Sequence, residues 1–115
     1  MLVKKSQAAK IENSDSCTVW EYEYPSKNFS FAKAHIKTRY PDTGKVTNEE
    51  CEEIYYVISG SGVVHSEKGD FELAEGDLYY FEKGEVYWVE AENLEVILVN
   101  APKWWPGQHK EIKFS

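Results

Sequence analysis

A chain of 115 residues fits a single domain. Its formal net charge of −7, with Arg39 as its only arginine, excludes a general phosphate-binding surface for nucleic acid. Hydrophobic residues at 42% and aromatics at 15% exclude a disordered chain, and no apolar run is long enough to span a bilayer as a helix.

Residues 1–16 are polar and without clear periodicity, and read as an N-terminal arm. No apolar run follows Lys4 and Lys5, so the expectation is a cytoplasmic protein whose two cysteines, Cys17 and Cys51, stay reduced. Cys17–Tyr24 alternates strictly, with Trp20, Tyr22 and Tyr24 on one side and Glu21 and Glu23 on the other, the pattern of a half-buried strand. Pro25–Asn28 turns the chain. In Phe29–Tyr40 the small Ala32 and Ala34 suit a crowded interior, which leaves Lys33, His35 and Lys37 outside. Pro41–Lys45 is a loop. Thr47–Glu53 invites a helical reading, but the β-branched and aromatic run Ile54–Ile58 does not continue it. Cys51–Ser59 reads as a strand, Gly60-Ser61-Gly62 as a tight hairpin turn and Val63–Ser66 as the returning strand. Further short strands follow at Phe71–Leu73, Leu78–Phe81, Val86–Val89 and Leu94–Val99, separated by turns at Lys68-Gly69-Asp70, Glu75-Gly76-Asp77 and Lys83-Gly84-Glu85. Many short strands with closely spaced turns point to an all-β sandwich or barrel over residues 17–100. Residues 101–115 read as a C-terminal tail packing on it. There Trp104 and Trp105, set between Pro102 and Pro106, suggest one ring on the barrel and one capping a pocket or a subunit contact.

Two segments carry a family resemblance. Glu53, followed by six residues and Gly60, resembles the end of the first cupin motif, and Gly76 and Gly84 frame a stretch similar to the second, with Glu82 and Tyr87 where that motif has proline and histidine. The resemblance implies an antiparallel jelly-roll β-barrel around one pocket. It also implies a divalent metal held by two histidines, the glutamate and the second-motif histidine. Here the first two positions fall among Val46, Thr47, Asn48 and Glu49, and only Glu53 is kept. The expectation is therefore a pocket without a cofactor. The alternative is an oxygen-rich divalent metal set of Glu49, Cys51 and Glu53, which share a strand parity, with Asn48 adding an oxygen.

Within such a barrel Glu53 and Tyr87 are the candidate catalytic pair, since a carboxyl in an apolar cavity serves as acid or base near neutral pH. Tyr55, Tyr79, Phe81, Glu85 and Trp104 are candidate ligand-binding residues. His35 and His109 read as exposed, and His65 as a pocket, surface or interface group. The expected function is binding of a sugar or small carboxylated metabolite; the alternative is an isomerase, epimerase or lyase using Glu53 and Tyr87. A homodimer is the expected assembly.

Overall fold

The computed structural model describes residues 1–112. The described residues form ten strands: Ala9–Glu12 (β1), Cys17–Tyr22 (β2), Ser30–Ile36 (β3), Arg39–Tyr40 (β4), Lys45–Asn48 (β5), Glu52–Ser66 (β6), Gly69–Leu73 (β7), Leu78–Phe81 (β8), Val86–Ala101 (β9) and His109–Ile112 (β10). Every pairing is antiparallel, and the strands curl into a jelly-roll barrel. Part of the polar N-terminal stretch is thus a strand, and residues 113–115 of the C-terminal tail lie outside the described residues.

Two long strands organise the barrel. β6 and β9 pair along most of their length, and their register slips between Val57 and Ser61. At that slip Gly60 takes φ +77° and Asn93, facing it, takes φ +48°. Gly60-Ser61-Gly62 is therefore not a hairpin turn: hydrogen bonding to β9 continues through it, and the glycines let both strands bend together. Beyond the bend the two halves of each strand join different layers. The later half of β9 pairs with β3 and with Glu52–Val57, while its earlier half pairs with β4, β5 and Ser61–Ser66. The two layers enclose a core of Ile36, Val46, Val57, Val64, Val89, Leu94 and Val96.

On β2 the alternation left the inward face open, and pairing decides it. Cys17 and Val19 pair with Ile36 and Ala34, and Cys17, Ile36 and Ala34 are buried, so the odd-numbered residues face in. Trp20 is opposite Lys33 on the outer face, where the ammonium sits 5.7 Å from the indole centroid. Alternation sets which residues share a face, but aromatic character does not decide which face is inside. The tight turn before β8 is pinned by Asp77, whose Oδ2 accepts a hydrogen bond from the Ala74 N–H at 2.9 Å. Among the described residues no helix is long and apolar enough to cross a membrane.

Candidate functional site

The bend in β6 and β9 brings residue 53 and residue 87 together. Glu53 sits opposite Asn100 in one layer, and Tyr87 sits opposite Val46 in the other, so their side chains meet across the interior. The Tyr87 hydroxyl donates to Glu53 Oε2 at 3.4 Å. Glu53 is 4% exposed and faces a cavity of about 610 Å³. Tyr40, Tyr55, Tyr87, Asn100, Trp104 and His109 also line this cavity, and Glu23, Trp105 and Pro106 form its exposed rim. The volume falls within the range of small-molecule sites, and the walls are aromatic with few polar groups.

Burial dominates the electrostatics here. It raises the Glu53 carboxyl from 4.5 to about 7, a shift only partly opposed by the nearby side chains of Asn100, Tyr87 and Asn48. Burial likewise holds the Tyr55 and Tyr87 phenols well above their usual range, so both stay protonated. Of these three groups Glu53 is the one whose pKa lies near neutrality.

The other candidates divide. Tyr55 and Trp104 line the cavity; Tyr79, Phe81 and Glu85 do not. Phe81 is buried behind the wall, with its ring 4.8 Å from Tyr55 and 4.2 Å from Tyr87, so it holds those rings in place. Glu85 is buried in a separate knot, accepting from the Tyr79 hydroxyl at 2.6 Å, the Ser66 hydroxyl at 2.7 Å and the Glu82 N–H at 2.9 Å. Parity within a strand could not separate Glu85 from the cavity, because it precedes β9 and its direction is set by the turn.

The structure does not bring Glu49, Cys51 and Glu53 together. Glu49 and Cys51 lie between β5 and β6, where strand alternation does not hold. Glu49 is exposed, 3.9 Å from the Lys110 ammonium, and the buried Cys51 thiol donates to the Pro102 carbonyl at 3.3 Å. Among the described residues no cluster of three His, Cys, Asp or Glu side chains is placed to hold a metal ion. Beside Glu53 the Tyr87 hydroxyl turns its hydrogen to the carboxylate, and the Asn48 carbonyl oxygen is already taken by Trp104, Gln108 and His109. One carboxylate with neutral oxygens does not reproduce the three imidazoles and glutamate of the family's divalent site.

Several contributors were not legible in the sequence. His109, expected in an exposed tail, instead starts β10, lines the cavity and is half-buried. β10 pairs with β5 and sets His109 opposite Asn48. The Tyr40 hydroxyl meets His109 Nε2 at 2.7 Å, and His109 Nδ1 meets Asn48 Oδ1 at 2.8 Å. Asn48 Oδ1 also accepts from Gln108 Nε2 at 2.9 Å and from Trp104 Nε1 at 3.3 Å. These contacts span some sixty residues of sequence, so no local pattern announces them. Of the other histidines, His65 is on the surface, clamped by Asp70 at 2.7 Å and Glu90 at 2.9 Å and stacked 4.1 Å from Trp88.

Gln108 joins this network to the turn before β6. It is 2% exposed, and its Oε1 accepts from the N–H groups of Glu50 and Cys51, both at 3.2 Å. Gln108→Ala leaves a buried N–H and part of the Asn48 carbonyl unpaired, and is expected to cost about 2 kcal/mol in chemical denaturation. Gln108→Glu keeps the acceptor for both N–H groups but sets an oxygen against the Asn48 carbonyl oxygen, and is not expected to recover that loss at neutral pH.

Known proteins resemble the chain as follows. The family model of the cupin domain, Cupin_2, matches residues 41–100. No curated protein sequence matches the chain. Among solved structures, a tyrosine variant of PAC13 from Streptomyces with uridine superposes with a TM-score of 0.88 at 15% identity, covering 99% of this chain and 91% of that one. PAC13 is described as a unique nucleoside dehydratase. Ectoine synthase from P. lautus gives a TM-score of 0.75 at 15% identity, over 100% of this chain and 92% of that one. A variant of B. subtilis oxalate decarboxylase gives 0.76 at 24% identity, over 94% of this chain and 31% of that one. At these identities the likeness is one of fold.

Proposed function

Because the chain belongs to the Cupin_2 family of cupin domains, we propose that its barrel binds a small, uncharged, hydroxylated metabolite of the sugar or nucleoside class. Glu53 then acts on that ligand as acid or base, in chemistry of the isomerase, epimerase or lyase type. The observation that carries this reading is the buried carboxyl of Glu53. It faces a cavity of about 610 Å³, and no arginine or lysine is among the causes of its raised pKa. A carboxylate buried without a countercharge is costly, and such groups are found where a proton must be exchanged near neutral pH.

The charge of the lining favours a neutral ligand over a carboxylated one. Glu21, Glu23 and Glu53 all line the cavity, and the rim cation Lys103 is engaged by Glu23 at 3.0 Å. An anionic ligand would meet like charge. The aromatic walls suit a sugar face or a flat base. The solved structure of PAC13 with uridine, similar in fold along nearly the whole chain, supports a ligand of nucleoside size.

Tyr87 serves as a hydrogen-bond donor to Glu53 or to a ligand oxygen, since its phenol stays protonated. Proton exchange then falls to Glu53 alone. Thermal unfolding in the presence of uridine and neutral hexoses, with the matching uronic acids as comparison, tests the reading. Neutral compounds are expected to raise the midpoint by several degrees at saturating concentration, and the acids are not. Glu53→Gln is expected to keep the shift and abolish turnover of the compound that binds, as followed by proton NMR. No shift from either set, or a shift from the acids alone, overturns the proposal.

A further inference from the structure

We propose that Asn48, acting through His109, turns the Tyr40 hydroxyl into a hydrogen-bond acceptor toward the cavity, so that the site selects ligands that bring it a hydroxyl or N–H donor. The proposal rests on the cavity being the ligand site, and it names what that site reads.

The hydrogen-bond polarity follows from one fixed point. The Trp104 indole N–H can only donate, so the Asn48 atom 3.3 Å from it is the carbonyl oxygen. That oxygen also takes Gln108 Nε2 at 2.9 Å. His109 Nδ1, 2.8 Å from the same oxygen, must then carry a hydrogen. Burial lowers the pKa of the His109 imidazole, so the ring is neutral and Nε2 keeps a bare lone pair. The only hydrogen available for the 2.7 Å contact between Nε2 and Tyr40 is the phenolic one. With its hydrogen committed to His109, the Tyr40 oxygen has lone pairs and nothing else to offer a ligand.

A second, independent observation points the same way. Asn100 lines the cavity, is 6% exposed, and its Oδ1 has no hydrogen-bond partner among the described residues. An orphaned buried acceptor is costly unless a bound molecule satisfies it. Two acceptors thus await donors, as the hydroxyls of a sugar would supply. Asn48 and His109 are positioning residues in this scheme, and Tyr40 and Asn100 are the groups that touch the ligand.

Phenol and anisole probe the Tyr40 acceptor directly, because they differ by one donor. With the full-length protein, nitrogen-15 NMR is expected to show His109 protonated at Nδ1 and bare at Nε2 between pH 6 and 8. Phenol is expected to bind about tenfold more tightly than anisole. Asn48→Asp puts a carboxylate beside Nδ1 and is expected to make His109 an imidazolium. Nε2–H then donates to Tyr40, the phenolic hydrogen turns toward the cavity, and the preference for phenol falls at least several-fold. Tyr40→Phe removes one of the two acceptors without adding charge; it is expected to cut the preference for phenol several-fold and keeps the test decisive if Asn48→Asp does not fold. A hydrogen on Nε2 of wild-type His109, or equal binding of the two probes to the wild type, overturns this inference while leaving the ligand site standing. Failure of both probes to enter, with the expected His109 tautomer, overturns the ligand site and the inference with it.

Discussion

Glu53→Gln is expected to stabilise the protein above pH 7 and to flatten its stability between pH 4.5 and 7. The wild-type carboxyl is raised from 4.5 to about 7, chiefly by burial, so the folded state holds this proton more tightly than the unfolded chain. Below pH 4.5 both states are protonated and the stabilisation is fully present. As pH rises toward 7 the unfolded chain releases the proton first, and stability falls until the folded carboxyl also ionises. At 1.36 kcal/mol per pKa unit, the rise from 4.5 to about 7 corresponds to about 3 kcal/mol lost across this window. Glutamine, neutral at every pH, does not share that loss. Denaturation of both proteins at pH 4 and pH 8 checks it: the difference between them should grow by about 3 kcal/mol in favour of the variant at the higher pH. Parallel pH profiles would mean that Glu53 is hydrated or countercharged, and the acid–base role would go with its raised pKa.

Gly60→Ala is expected to be the most damaging single-methyl change in the molecule, costing about 4 kcal/mol or more. Two penalties coincide there. Gly60 has φ +77°, where a Cβ is strained, and the added carbon would overlap the Asn93 carbonyl oxygen while lying 2.7 Å from its carbon and 2.9 Å from the Glu92 oxygen. Those atoms are backbone of the paired strand and cannot turn aside. Gly76→Ala is the control: its φ is +87°, but nothing lies within 4 Å, so only the backbone conformation is penalised, by about 1 kcal/mol. Because the bend at Gly60 sends the two halves of β6 into different layers, a folded Gly60→Ala protein is also expected to separate Tyr87 from Glu53. Loss of ligand-induced thermal shift beyond the loss of stability would report that. Equal costs at the two glycines would show that the close approach to Asn93 is not needed.

The sequence alone determined the class of the fold and the identity of the central carboxyl. Period-two alternation and frequent turns are local features that led to an all-β sandwich or barrel, and the resemblance of the frames Glu53 to Gly60 and Gly76 to Gly84 to the cupin motifs implied a barrel with Glu53 and Tyr87 looking into a common hollow. Tertiary structure decided the rest. Which face of β2 turns inward depends on its pairing with Ala34 and Ile36, which alternation within the strand left open. Whether Gly60-Ser61-Gly62 ends a strand or bends one depends on whether β9 continues beside it, and it does. Glu85 was drawn away from the cavity by Tyr79 and Ser66, and Glu49 by its place in a turn. Tyr40, Asn48, Asn100 and His109 became parts of one site because strands distant in sequence pair side by side. Side-chain alternation is written into each strand, but which strands become neighbours is settled only when the whole chain buries its apolar faces together.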